Sequence, residues 1–312
     1  MAISQSRHVA DLVTERTGRP VEVVGITTFG DVSKAQLTQI GGTGVFVSAL
    51  RESLLSGEVD FAVHSLKDLP TAQPDDIALA AVPPRDDPRD ALIARDGAKL
   101  ADLPRAARIG TGSPRRAAQL KLLRADLEPV AIRGNANTRL DKVTTGELDA
   151  VVLAYAGLGR IAYLDAVTQI FEPEEMLPAP GQGALALECR AGDAELVELL
   201  AIVDDAMTRA AATAERTLLA ALEAGCSAPV GGYAIITGAT LDLVGAVFGG
   251  PGVVPRDGGA GDAVHGGVRV LRDRVSGAPE DAERLGSGLA ARMLAQGAGE
   301  LLTQGPPAPG NG

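Results

Sequence analysis

Short apolar runs alternate with helical patterns through the middle of this chain, and nearly every run ends in a turn rich in glycine, hydroxyl and arginine side chains. Residues 91–94, 107–110, 130–132 and 150–154 read as strands, with helices over 114–123 and 138–144 between them. Such alternation predicts an α/β protein with a mainly parallel sheet and helices on its faces. Upstream, the pattern gives a helix over 4–15, a strand over 21–27, a helix over 45–55, a short buried strand over 60–64 and a strand over 77–82. A helix opening the chain with no strand before it is unusual for this class.

Two proline-rich breaks, Pro83-Pro84-Arg85-Asp86-Asp87-Pro88 and Pro178-Ala179-Pro180-Gly181-Gln182-Gly183, read as crossovers between globular parts. They divide the chain into a discontinuous first domain (1–83 with 184–204), a second domain (84–183) and a small α+β unit (205–304). Helices over 194–203 and 208–224 lead into that unit. Its strands fall near 232–236, 240–247 and 268–272, and its last helix over 280–296. The glycine-rich stretch 248–267 reads as an inserted loop and 305–312 as a disordered tail. At 312 residues and 46% hydrophobic content the chain can fill cores in all these parts.

No apolar run reaches membrane-spanning length and no basic-then-apolar leader opens the chain, so a cytoplasmic protein without membrane partners is expected. Two lone cysteines, Cys189 and Cys226, make no disulfide framework, and His8, His64 and His265 have no metal-ligand spacing. A net charge of −11 argues against a general nucleic-acid binder. Within that acidic average, eight arginines lie between Arg105 and Arg160. A GC-rich genome explains a global preference for arginine but not its gathering at strand-to-helix turns.

Ligands of open α/β sheets bind beyond the carboxyl ends of the strands. There the chain places Ser65-Leu66-Lys67-Asp68, Thr111-Gly112-Ser113-Pro114-Arg115-Arg116, Arg133-Gly134-Asn135 with Arg139 one turn on, and Ala156-Gly157-Leu158-Gly159-Arg160. Ser113 and Pro114 mark a helix start, whose free amides attract anions. Arginines in that first turn oppose the helix dipole, so stability alone does not recommend them. Guanidinium groups bind carboxylates bidentately, which suits a ligand with several carboxylates. Phosphate is the competing class, but no Walker or G-x-G-x-x-G pattern accompanies these turns. Asp68 is the acid that could steady a developing cation or move a proton; a helix cap or a salt bridge to Lys67 is the alternative. His64 reads as structural. Cys226 breaks a long helical pattern between Gly225 and Pro229, where a thiol is presented with room for an adduct, or is a loop cysteine of no consequence.

Taken together, Val63-His64-Ser65-Leu66-Lys67-Asp68, Asp87-Pro88-Arg89-Asp90, Gly110-Thr111-Gly112-Ser113-Pro114-Arg115-Arg116, Arg133-Gly134-Asn135, Pro180-Gly181-Gln182-Gly183 and Gly225-Cys226 resemble the porphobilinogen deaminase (hydroxymethylbilane synthase) family. The resemblance runs from Gln5 to about Leu302. It implies two domains like type II periplasmic binding proteins, a small α+β C-terminal domain, and a monomer. It also implies a dipyrromethane cofactor held by Cys226 through a thioether. Porphobilinogen would lose ammonia to give an azafulvene, four units would be added to the cofactor's terminal pyrrole, and hydrolysis would release hydroxymethylbilane. Asp68 matches the catalytic aspartate. Arg115, Arg116, Arg133, Arg139 and Arg160 match the carboxylate-binding arginines, with Gln5, Ser65, Lys67, Thr111 and Ser113 as supporting donors.

The chain departs from the family pattern in three places. A first strand with a Thr-Arg-x-Ser signature is expected ahead of the Gln5 helix, and with it a cleft arginine. From this follows the expectation that the natural start lies upstream of Met1. Gln39 and Thr43 stand where many members have lysine, and the 248–267 insert lengthens the third domain. The competing reading is a non-catalytic or impaired solute-binding protein of the same architecture. It has no use for Cys226 or Asp68.

Overall fold

The computed structural model describes residues 1–26, 44–225, 228–250 and 262–304. Gln39, Thr43, Cys226, residues 251–261 of the glycine-rich insert and the tail from 305 lie outside the described residues. The chain divides into two compact units, one of residues 1–86 with 183–209 and one of 87–182 with 210–312.

In the first unit, α1 (Ala2–Thr17) buries Val9 and Val13, one turn apart, and ends on Gly18 at φ 71°, the left-handed cap glycine adopts without strain. Residues 21–26 follow without forming the expected strand. After α2 (Gly44–Leu55) come β1 (Phe61–Ser65) and β2 (Ile77–Ala81), and the chain re-enters the unit with β8 (Leu185–Arg190) and α6 (Ala194–Ala201). The sheet order is β1-β8-β2, antiparallel throughout. Val9, Val13, Ala81, Leu187 and Leu200 meet in its core. Glu188 on β8 is buried between Arg51, which forks onto it at 2.7 and 3.0 Å, and His64, whose Nε2 lies 3.3 Å away. His64 is thus tied to the core face of β1, as expected of a structural residue.

The second unit opens with β3 (Asp90–Ala94), β4 (Arg108–Thr111), α3 (Pro114–Leu123), β5 (Glu128–Ala131), α4 (Ala136–Thr144), β6 (Ala150–Ala154), α5 (Tyr155–Gly159) and β7 (Gln169–Phe171). The five strands are ordered β5-β4-β6-β3-β7. β4 is parallel to β5 and β6, but β3 is antiparallel to β6 and β7. The expectation of mainly parallel sheets is therefore corrected. β3 and β8 each follow a proline-rich crossover and enter from the opposite end, so each lies antiparallel between its neighbours.

The same unit includes the C-terminal part: α7 (Ala206–Ala221, crossing from the first unit at its start), β9 (Val230–Thr237), β10 (Thr240–Gly249), β11 (Asp262–His265), β12 (Val268–Gly277), α8 (Ala282–Ala295) and α9 (Ala298–Gln304). Its antiparallel sheet, β11-β12-β10-β9, packs on α7 and α8 through Leu218, Leu243, Leu289 and Met293. Gly286 on α8 lets the two helices close up, since a Cβ there would stand 2.5 Å from the carbonyl oxygen of Ala214. A second cluster of Ala118, Leu177, Ala246, Phe248 and Val268 joins this sheet to α3 and the approach to the second crossover. Glu215 on α7, fully buried, accepts from the backbone N–H of Gly181 at 2.6 Å and of Ala234 at 2.7 Å. No described helix is long and apolar enough to cross a membrane.

Candidate active site

In the first unit β1 runs into a single 3₁₀ turn, Leu66–Asp68. Leu66 and Leu69 are buried on either side of it, and the Leu66 N–H donates to the carbonyl of Ala184 at 3.0 Å. Pinned by these leucines, Lys67 and Asp68 stand half-buried at the strand end. Lys67 is engaged, whereas the Asp68 carboxylate has neither hydrogen bond nor ion pair among the described residues. The alternative of a Lys67 salt bridge or a helix cap therefore loses its support. Gln5, buried on α1, donates through Nε2 to Ser65 Oγ at 2.9 Å and so leaves the serine hydroxyl hydrogen free to donate elsewhere. Gln5, Ser65, Lys67 and Asp68 are thus one group at one strand end.

In the second unit β5, β4 and β6 lie side by side and parallel, so their carboxyl ends share one edge. Thr111 Oγ1 accepts from Ser113 N at 3.2 Å, and Ser113 Oγ caps α3 by accepting from Arg116 N at 3.5 Å, with Pro114 following the cap. Arg133 lies two residues past the end of β5; it is exposed and has no partner among the described residues. Arg139, half-buried on α4, donates through Nε to the carbonyl of Gly134 at 2.9 Å. Gly134 itself sits at φ 100°, in the region open to glycine. Arg160, half-buried just past α5, is engaged with neighbours.

Arg115 and Arg116 turn inward, 2% and 6% exposed, onto a residue that the sequence pattern does not single out. Asp90 begins β3, and because β3 is antiparallel to β6 its first residue lies at the same edge, opposite Ala154. Its Oδ2 accepts from Arg115 Nη1 at 2.8 Å, and its Oδ1 from Arg116 Nε at 3.0 Å and Nη2 at 2.7 Å. Complete burial would raise the Asp90 pKa, but the charges of Arg115 and Arg116 outweigh it and hold the carboxyl well below the usual range. Burial in turn pulls the Arg115 guanidinium downward, with the charge of Arg116 adding to the effect. A signal for Asp90 was present in Asp87-Pro88-Arg89-Asp90, yet nothing in that run reveals which basic residues it meets. Cys226 lies outside the described residues.

Comparison with known proteins covers almost the whole chain. Residues 1–198 match the family model for the porphobilinogen deaminase dipyromethane cofactor binding domain, and residues 209–256 that for the porphobilinogen deaminase C-terminal domain. Porphobilinogen deaminase of Thermobifida fusca is 58% identical over 304 residues, covering 97% of this chain and 92% of the relative. Porphobilinogen deaminase 1 of Streptomyces coelicolor is 54% identical over 311 residues, covering 97% and 94%. Among solved structures, the Bordetella pertussis BvgS VFT2 domain (F375E/Q461E double mutant) covers 64% of this chain and 76% of its own, at 20% identity and a TM-score of 0.38, too distant to bear on function. With the strand-end residues of both units inside the matched segments and close relatives along nearly its full length, the chain belongs to the porphobilinogen deaminase family.

Proposed function

We infer that this chain is a hydroxymethylbilane synthase, a transferase that joins four porphobilinogen units with loss of ammonia and releases the linear tetrapyrrole by hydrolysis. The observation that carries the assignment of roles is the half-buried Asp68 carboxylate, held at a strand end without a partner among the described residues. A carboxylate in that position opposes the positive charge that develops as ammonia leaves, and accepts hydrogen bonds from pyrrole N–H groups. Ser65, oriented by Gln5, and Lys67 donate beside it.

The residues of the second unit fit a dipyrromethane, whose pyrroles carry acetate and propionate groups. Among the described residues Arg133 is a cation without a counter-ion, and Arg115 Nε is a buried donor without an acceptor. When bound, the dipyrromethane supplies the pyrrole carbon to which incoming units are joined. Arg115, Arg116, Arg133, Arg139 and Arg160 hold carboxylates, Thr111 and Ser113 add donors, and Cys226 anchors the group through a thioether. In this reading the enzyme works as a cytoplasmic monomer, and a native mass of one chain checks the oligomeric state.

Intact mass tests the anchor. Purified wild-type protein is expected to carry the added mass of a dipyrromethane and to colour with Ehrlich's aldehyde, and Cys226→Ser to carry neither, because a hydroxyl is a far weaker nucleophile than a thiol. Cys189→Ser, at a buried position on β8, is expected to load normally. Equal loading in wild type and Cys226→Ser overturns the assignment.

A further inference from the structure

Arg115 and Arg116 share one carboxylate, Asp90, and meet no other among the described residues. Three buried charges therefore leave one positive charge without a counter-ion. It is held in the first turn of α3, where the helix dipole is also positive. A cluster kept for stability alone would be matched charge for charge.

The hydrogen bonds are uneven in the same sense. Arg116 has four of its five N–H groups engaged: Nε and Nη2 bond Asp90, Nη1 bonds the carbonyl of Val152 at 3.2 Å, and Nη2 also lies 3.3 Å from Gln182 Oε1. Arg115 directs only Nη1 inward, to Asp90 and to the carbonyl of Leu177 at 2.6 Å. Its Nε is buried without an acceptor, and its Nη2 makes no hydrogen bond among the described residues. Nε and Nη2 form the side-on edge of a guanidinium, to which a carboxylate binds through two parallel bonds. Gln182 fixes the counter-ion: its Nε2 donates to Asp90 Oδ1 at 2.8 Å and to the carbonyl of Pro88 at 2.6 Å.

We propose that Asp90, steadied by Gln182, is a positioning residue that holds Arg115 with its Nε–Nη2 edge unoccupied as the fork for a carboxylate of the pyrrole chain. The nature of that ligand rests on the function proposed above. Asp90 itself does not touch the ligand. It acts by balancing one of the two arginines and fixing the direction of the other, so neither Asp87-Pro88-Arg89-Asp90 nor Pro180-Gly181-Gln182-Gly183 is only a linker.

Two variants test this. Asp90→Asn keeps the shape but offers a single acceptor oxygen, which cannot hold both guanidiniums. The apparent KM for porphobilinogen is expected to rise at least about tenfold while kcat of the loaded fraction stays within about threefold. The loaded fraction by intact mass falls, and Asp90→Glu restores part of both. Arg115→Met leaves Asp90 and Arg116 as a matched pair, so its unfolding midpoint is expected within about 2 °C of wild type while loading falls. This second variant decides the matter if Asp90→Asn does not fold. A KM within about twofold of wild type in Asp90→Asn overturns the proposal. So does an Arg115→Met protein that is strongly destabilised yet loads normally. Absence of the covalent mass from wild-type protein would instead refute the functional reading on which the ligand's identity depends.

Discussion

Asp68 and Glu188 are both carboxylates of the first unit, and their surroundings differ. Glu188 is enclosed by Arg51 and His64, whereas Asp68 at its strand end has no partner among the described residues. Asp68→Asn is expected to lower the single-turnover rate by about 10²-fold or more, since the amide keeps the shape and loses the charge that opposes the developing cation. A rate within about threefold of wild type would make Asp68 a structural residue. For Glu188, burial raises the pKa, but the contacts with His64 and Arg51 outweigh it and hold the carboxyl below the usual carboxylate range. A carboxyl depressed in the folded state contributes stability above its unfolded pKa, and that contribution is lost as pH falls through the folded value. Glu188→Gln is therefore expected to cost about 1–3 kcal/mol at neutral pH, because the half-buried Arg51 loses its carboxylate partner. Its acid-unfolding curve should be flatter than wild type below that range, which urea midpoints measured across pH will show. The strand-end position of Asp68 was legible in the sequence because residues after a strand are readable by position. The partners of Asp90 were not, because they follow from the direction in which β3 enters the sheet, and a run of apolar residues carries no direction.

Helix α7 ends in a Schellman turn: Ala224 N–H reaches the carbonyl of Leu219 at 3.2 Å and Glu223 N–H that of Ala220 at 2.9 Å. The turn requires a left-handed residue, and Glu223 occupies it at φ 53° where glycine would sit without strain. Glu223→Gly is expected to stabilise the protein by about 0.5–1 kcal/mol, net of glycine's greater freedom in the unfolded chain. A urea midpoint that fails to rise would show that the strain is relieved elsewhere. Sequence placed α3 at its observed bounds because Ser113 and Pro114 punctuate it, and β6 because its apolar run stops cleanly. It missed β7 and α9, which are only 3 and 7 residues long, too short for a period to register. It also gave residues 21–26 a strand on β-propensity alone, although no neighbouring strand pairs with them among the described residues.

The C-terminal part matches a domain model of its own, and it packs into one compact unit with the five-stranded sheet. The cluster around Leu177 and Phe248 explains why, since neither sheet covers these side chains alone. Leu177, 1% exposed, also crowds Gly231, where a Cβ would stand 2.9 Å from Leu177 Cδ2. Leu177→Ala is expected to cost about 2–5 kcal/mol. Calorimetry should show the second unit losing that stability in one transition; separate melting of the C-terminal sheet would mean that the cluster is not shared. The first unit has a different dependence. β1 and β2 do not pair with each other, and both take their hydrogen bonds from β8, which is encoded beyond the entire five-stranded sheet. Synthesis adds roughly 5–20 residues per second. For several seconds of every round of translation, the amino-terminal segment must therefore wait as an unpaired nascent chain while strands made after it already have their partners. This order of completion runs against the order of synthesis, and it makes residues 44–86 the stretch most in need of protection at the ribosome.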